Sequence, residues 1–137
     1  MWWIYALLSA FFASLTAIFA KIGVTSVNSD LATAIRTIVI LVVAWGIVLF
    51  RGELKGITEI SKHSLTFLIL SGLATGLSWI FYYKAIQLGK VSQVAPVDKL
   101  SLALTILLSF LILKEAITLK IIIGAALIIA GTVVLIT

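Results

Sequence analysis

No cysteine occurs anywhere in the chain, so disulfides and thiolate chemistry are excluded and the redox compartment is not readable. There is one histidine, His63, and no His-Glu-x-x-His or Cys-x-x-Cys spacing, which argues against a metal site of the usual kind. No glycine-rich phosphate loop is present. No nucleophile–base pair suggests itself either, so an enzyme is not expected, nor any cofactor. Acidic residues number only 5 against 10 basic ones, a net charge of +5. In a chain this apolar, that excess reports loop charge and orientation rather than nucleic-acid binding. A single proline, Pro96, punctuates the sequence.

What is abundant is hydrocarbon. Of 137 residues 63% are hydrophobic, and the mean hydropathy is +1.30. A soluble domain of this size cannot cover so much apolar surface. The expectation is an all-α integral membrane protein: one domain, residues 1–137, a bundle of five transmembrane helices in the lipid bilayer. The spans run over residues 2–20, 31–50, 65–86, 91–113 and 119–137. The first span lacks a basic leader and opens on Trp2, Trp3 and Tyr5, an interfacial aromatic belt, so it reads as retained. Asn28-Ser29-Asp30 supplies N-cap chemistry for the second. Residues 51–64 form the one polar loop, with the composition of a short interfacial helix, and His63 reads as a solvated residue within it.

The fourth span carries the most informative stretch, Val94-Ala95-Pro96-Val97-Asp98-Lys99-Leu100-Ser101. Proline in a helix releases backbone carbonyls upstream, here those of Ser92 and Gln93. In a bilayer such groups persist only where protein or a wet cavity satisfies them. A charge at bilayer depth costs about 2.5–3.5 kcal/mol, so Asp98 and Lys99 together cost about 5–7. Thirteen Val, Leu, Ile and Phe residues in this span return about 4–8 kcal/mol when central. The span inserts near break-even, and spanning needs neither charge, so both are candidate functional groups. On an unbroken helix Asp98 shares a stripe with Ser101, Thr105 and Ser109, while Lys99 points about 100° away. Each is therefore expected to meet a partner on another helix, with Asp98 facing a cavity.

Other groups invite two readings. Arg36 either snorkels to the headgroups or serves a site. Trp79, Tyr82 and Tyr83 with Lys84 are either a belt with a snorkelling lysine or the walls of a pocket that Ser78 also lines. Gly72-x-x-x-Gly76 is a close-packing signal, and Gly124 and Gly131 suit a packing or dimer helix. The short Gln87-Leu88-Gly89-Lys90 connection makes spans three and four antiparallel neighbours. Chain direction then puts Arg36, Lys84, Asp98 and Lys99 in one half of the membrane. Their net charge, +2 if all are ionised, favours an anionic or zwitterionic ligand group.

The pattern from Trp79 to Thr132 resembles the EamA domain of the drug/metabolite transporter superfamily. The resemblance rests on Tyr83-Lys84-Ala85-Ile86-x-Leu88-Gly89, then Val94-Ala95-Pro96, the apolar run into Glu115, and Gly124 with Gly131 in the last helix. The first two spans fit that domain in length and number. Family members usually carry two such units in tandem, inverted about the membrane plane. One unit implies a partner: a second copy inserted the other way, or an oppositely oriented companion chain. Asp98-Lys99 departs from the commonest family pattern, which is neutral there.

The charges fit such a dimer. Arg51, Lys55, Lys62, Lys114 and Lys120 lie on one side, and Lys21, Lys84 and Lys90 on the other. Five against three is a weak bias, as dual insertion requires. The expected function is a secondary transporter of a small organic metabolite by alternating access, as an antiparallel homodimer. A non-transporting membrane subunit, or a passive channel in an inverted dimer, stands as the alternative.

Overall fold

The computed structural model describes residues 1–136 and is entirely helical among them, with no strand. The helices are α1 (Trp2–Gly23), α2 (Ser29–Arg51), α3 (Lys62–Leu88), α4 (Val91–Asp98), α5 (Leu100–Leu113) and α6 (Leu119–Ile136), with a 3₁₀ segment, Glu53–Glu59, after α2. Five spans are long and apolar enough to cross a membrane, since α4 and α5 together make the one from Val91 to Leu113. The first three helices extend a few residues beyond their predicted limits, and Thr137, the predicted end of the fifth, lies outside the described residues.

The chain packs as two compact units, one of residues 19–87 and one of residues 1–18 with 88–137. In the first, the buried residues are Ala20, Val24, Ser29, Thr33, Tyr83 and Ile86. All come from the end of α1, the loop and start of α2, and the last turns of α3. Polar side chains tie that end together. Lys21 Nζ donates to the Ile86 carbonyl at 2.7 Å, a cation on the negative end of a helix. Gln87 Nε2 donates to the carbonyls of Val24 at 3.1 Å and Val27 at 3.0 Å. Asn28 caps α2 as expected: its side-chain oxygen accepts from the N–H groups of Asp30 and Leu31 at 2.8 and 3.3 Å. At its other end α2 stops at Gly52, whose φ of 70° is left-handed and whose N–H returns to the Leu49 carbonyl. The 3₁₀ segment then folds against α2, leaving a shallow, mostly apolar hollow of about 240 Å³ beside Trp45 and Ile57.

In the second unit α6 packs along both α4 and α5. Its hydroxyl-bearing Thr132 is buried and donates to the Ile128 carbonyl of its own helix at 2.8 Å and toward the Pro96 carbonyl of α4 at 3.3 Å. The glycines lie in open space. A Cβ built at Gly72, Gly76, Gly124 or Gly131 would meet no atom within 4 Å. The backbone at these positions is open to a close neighbour, as a packing or dimer surface requires.

Candidate functional site

The fourth span is broken where the proline and the charges predict. Pro96 lacks an N–H, α4 ends at Asp98, and α5 resumes at Leu100. Between them Lys99, at φ −71° and ψ −8°, donates its N–H to the Pro96 carbonyl at 3.0 Å and the Ala95 carbonyl at 3.3 Å. This tightened turn corrects the expectation that Asp98 and Lys99 reach separate helices. Lys99 Nζ lies 3.2 Å from Asp98 Oδ2, and their side chains are 53% and 34% exposed. Lys99 keeps right-handed helical backbone angles, so the contact is made by the side chain: the long lysine stem swings back onto the adjacent carboxylate. The expected stripe also turns inward on itself. Thr105 donates to the Ser101 carbonyl at 2.8 Å and Ser109 to the Ile106 carbonyl at 3.0 Å, so these hydroxyls serve their own helix.

The second cluster lies in the other unit. Arg36 rises from α2, and α3 presents Trp79 and, one turn on, Tyr83 on the same face. The guanidinium carbon sits 5.1 Å from the Trp79 ring centroid and 4.8 Å from that of Tyr83. These are cation–π distances: Arg36 lies on aromatic faces of the chain itself. Tyr82 meets Tyr83 edge to face at 6.0 Å. The Tyr83 side chain is fully buried, and its hydroxyl has no hydrogen-bond partner among the described residues. Buried phenol groups ordinarily find one.

Of the predicted site residues, then, two groups are brought together: Arg36 with Trp79, Tyr82 and Tyr83, and Asp98 with Lys99 beside Pro96. Lys84, Ser78, Ser101 and Thr105 are exposed and join neither group. Among the described residues no set of three metal-ligating side chains occurs. Sequence reasoning missed Lys21, Gln87 and Thr132 as structural ties. Thr132 carried one signal, being the lone hydroxyl inside an apolar helix. Lys21 and Gln87 had only their places at helix ends.

Comparison with known proteins gives a consistent result. The model of the EamA-like transporter family matches residues 1–137. An uncharacterized transporter encoded in the cobO 3' region of Sinorhizobium sp is 48% identical over 134 residues, covering 98% of this chain and 95% of the relative. An uncharacterized protein of Methanocaldococcus jannaschii is 34% identical over 132 residues, covering 96% of this chain and 93% of the relative. No solved structure matches the chain.

Proposed function

The chain belongs to the EamA-like transporter family, and from that premise we propose that it is a secondary carrier of a small organic metabolite, anionic or zwitterionic. It works by alternating access, as an antiparallel homodimer in a prokaryotic cell membrane. Its five long apolar helices make it an integral, multi-pass membrane protein.

The observation that carries this reading is the break in the fourth span. A discontinuous helix with charged side chains at the break is the form of site that secondary carriers place near the bilayer midplane. The ion pair beside Pro96 is not needed for crossing, and charges at such depth favour a polar path beside them. In this scheme Asp98 is the coupling carboxylate, Lys99 its counter-charge, and Arg36 with its aromatic neighbours the anion-binding wall. The dimer follows from parity. Five spans put the two ends on opposite sides, so an inverted repeat needs a second chain of opposite orientation. The relatives, covered over 95% and 93% of their lengths, have little room for a second such unit of their own.

The test is reconstitution into proteoliposomes with an imposed pH gradient. Uptake of the carried solute is expected to depend on the gradient and to lose that dependence in Asp98→Asn. Unchanged flux in the variant removes Asp98 from the mechanism. Reporters fused to the C-terminus are expected on both sides of the membrane. A single orientation overturns the self-inverted dimer.

A further inference from the structure

Resting on the carrier reading, the aromatic cluster narrows the class of solute. Arg36 is gripped by ring faces, 5.1 Å from Trp79 and 4.8 Å from Tyr83. A cation–π contact leaves the five in-plane N–H donors of a guanidinium unspent. Among the described residues none accepts from them, and the ion pair found there joins Asp98 to Lys99 instead. Tyr83 supplies an independent observation. Its side chain has 0% exposure, and its hydroxyl lacks a partner among the described residues. Because that hydroxyl is fixed to one of the rings Arg36 covers, a guanidinium fork and an unpartnered phenol donor share one neighbourhood.

We propose that Arg36 and Tyr83 together bind the carboxylate of a small organic monoanion, with Trp79 as the wall for its body. A carboxylate has the planar, forked acceptor that guanidinium edges fit, and a lone pair to spare for a phenol. Charge balance selects against a dianion. Lys21, on the adjoining helix, already answers the negative end of α3 through the Ile86 carbonyl. Arg36 is the cation held on the aromatic faces, and Lys84, though next to Tyr83 in the chain, is exposed and joins neither ring, so a second negative charge would have no cation within the cluster.

A zwitterion is disfavoured by the same count. The acidic residues of this unit are Asp30, six positions before Arg36 and exposed, and Glu53 and Glu59 beyond the opposite end of α2. None lies beside the guanidinium to hold an ammonium group. The Tyr83 hydroxyl is enclosed in this state, so a carboxylate reaches it only after the aromatic wall opens. A ligand that satisfies it therefore binds one conformation better than another, as a carried solute must.

The experiment uses the purified full chain in detergent and four probes of one shape: benzoate, benzamide, phenylalanine and phenyl phosphate. Titration calorimetry is expected to give saturable binding of benzoate. Benzamide should show none, and phenylalanine and phenyl phosphate should bind at least about tenfold more weakly. Arg36→Lys keeps the charge and loses the fork, and Tyr83→Phe loses only the oxygen. Each is expected to weaken benzoate about tenfold or more. Ligand-free Tyr83→Phe should melt above the unaltered protein, since it removes a buried hydroxyl with no partner, a result that a merely structural tyrosine would not give. Equal binding of benzamide and benzoate, preference for phenylalanine or phenyl phosphate, or unchanged benzoate affinity in Tyr83→Phe overturns the proposal. Failure here separates from failure of the carrier reading. If benzoate does not bind while Asp98-dependent uptake of another solute persists, the carboxylate site falls and the carrier stands. If benzoate binds through Arg36 and Tyr83 but no flux is found, the site stands and the carrier falls.

Discussion

Replacing Gln87 with methionine tests how the aromatic cluster is held in place. The side chain keeps its length and apolar stem but loses both N–H donors. In the structure those donors close the carbonyls of Val24 and Val27 at 3.1 and 3.0 Å. A neutral hydrogen bond contributes about 0.5–1.5 kcal/mol net, so the two together contribute about 1–3. Val24 is only 1% exposed, and a carbonyl stranded there puts the expected loss in the upper half of that range, about 2–3 kcal/mol. That is about a 30- to 150-fold rise in the unfolding equilibrium constant. Reversible unfolding in mixed micelles, followed by far-ultraviolet circular dichroism, measures it. The same loop ends in the Asn28 cap that sets where α2 begins, and α2 sets where Arg36 falls against α3. Gln87→Met is therefore expected to weaken benzoate binding as well. A loss of stability under about 0.5 kcal/mol refutes the reasoning, since one neutral bond alone would exceed it.

Three further outcomes are expected. Thr132→Val keeps the shape and removes the hydroxyl that reaches toward the Pro96 carbonyl, and should cost about 0.5–1.5 kcal/mol in the same unfolding assay, with Thr132→Ser recovering most of it. Gly52→Ala should cost about 1–2 kcal/mol from the left-handed φ of 70° alone, because a Cβ there meets nothing within 4 Å. Replacing Asp98 and Lys99 together by leucine should ease insertion of the fourth span, by about 5–7 kcal/mol on the insertion scale, yet abolish uptake in proteoliposomes. Retained uptake would mean that the pair only fixes helix register.

Much of the fold was legible because a bilayer leaves the chain few options. The spans follow from hydropathy, and the proline and the charges after it mark the stretch in which the fourth span is interrupted, at Lys99. The helix ends were drawn short because Lys21, Arg51, Lys62 and His63 interrupt an apolar run without interrupting a helix. The site was legible as residues and less so as pairs. Arg36, Trp79 and Tyr83 each stood out, but their meeting depends on where α2 starts and α3 ends, which rests on Gln87, a single amide with no pattern around it. The pairing of Lys99 is not legible from helical angles, because its long flexible stem reaches back to the neighbouring carboxylate. The glycine spacing marked surfaces able to pack closely, and nothing local states whether the partner belongs to the same chain.

The bond between Thr132 and the Pro96 carbonyl also sets an order of events during biosynthesis. The two residues are 36 positions apart. At about 5–20 residues per second a ribosome needs about 2–7 s to travel between them. For that interval the kinked, charged segment has left the peptidyl transferase centre while α6, the helix that flanks both halves of the break, is still being made. The nascent chain therefore faces lateral release into lipid with its most polar span unsupported. The contact that ties α6 to the interrupted span can therefore form only after that span has waited for it.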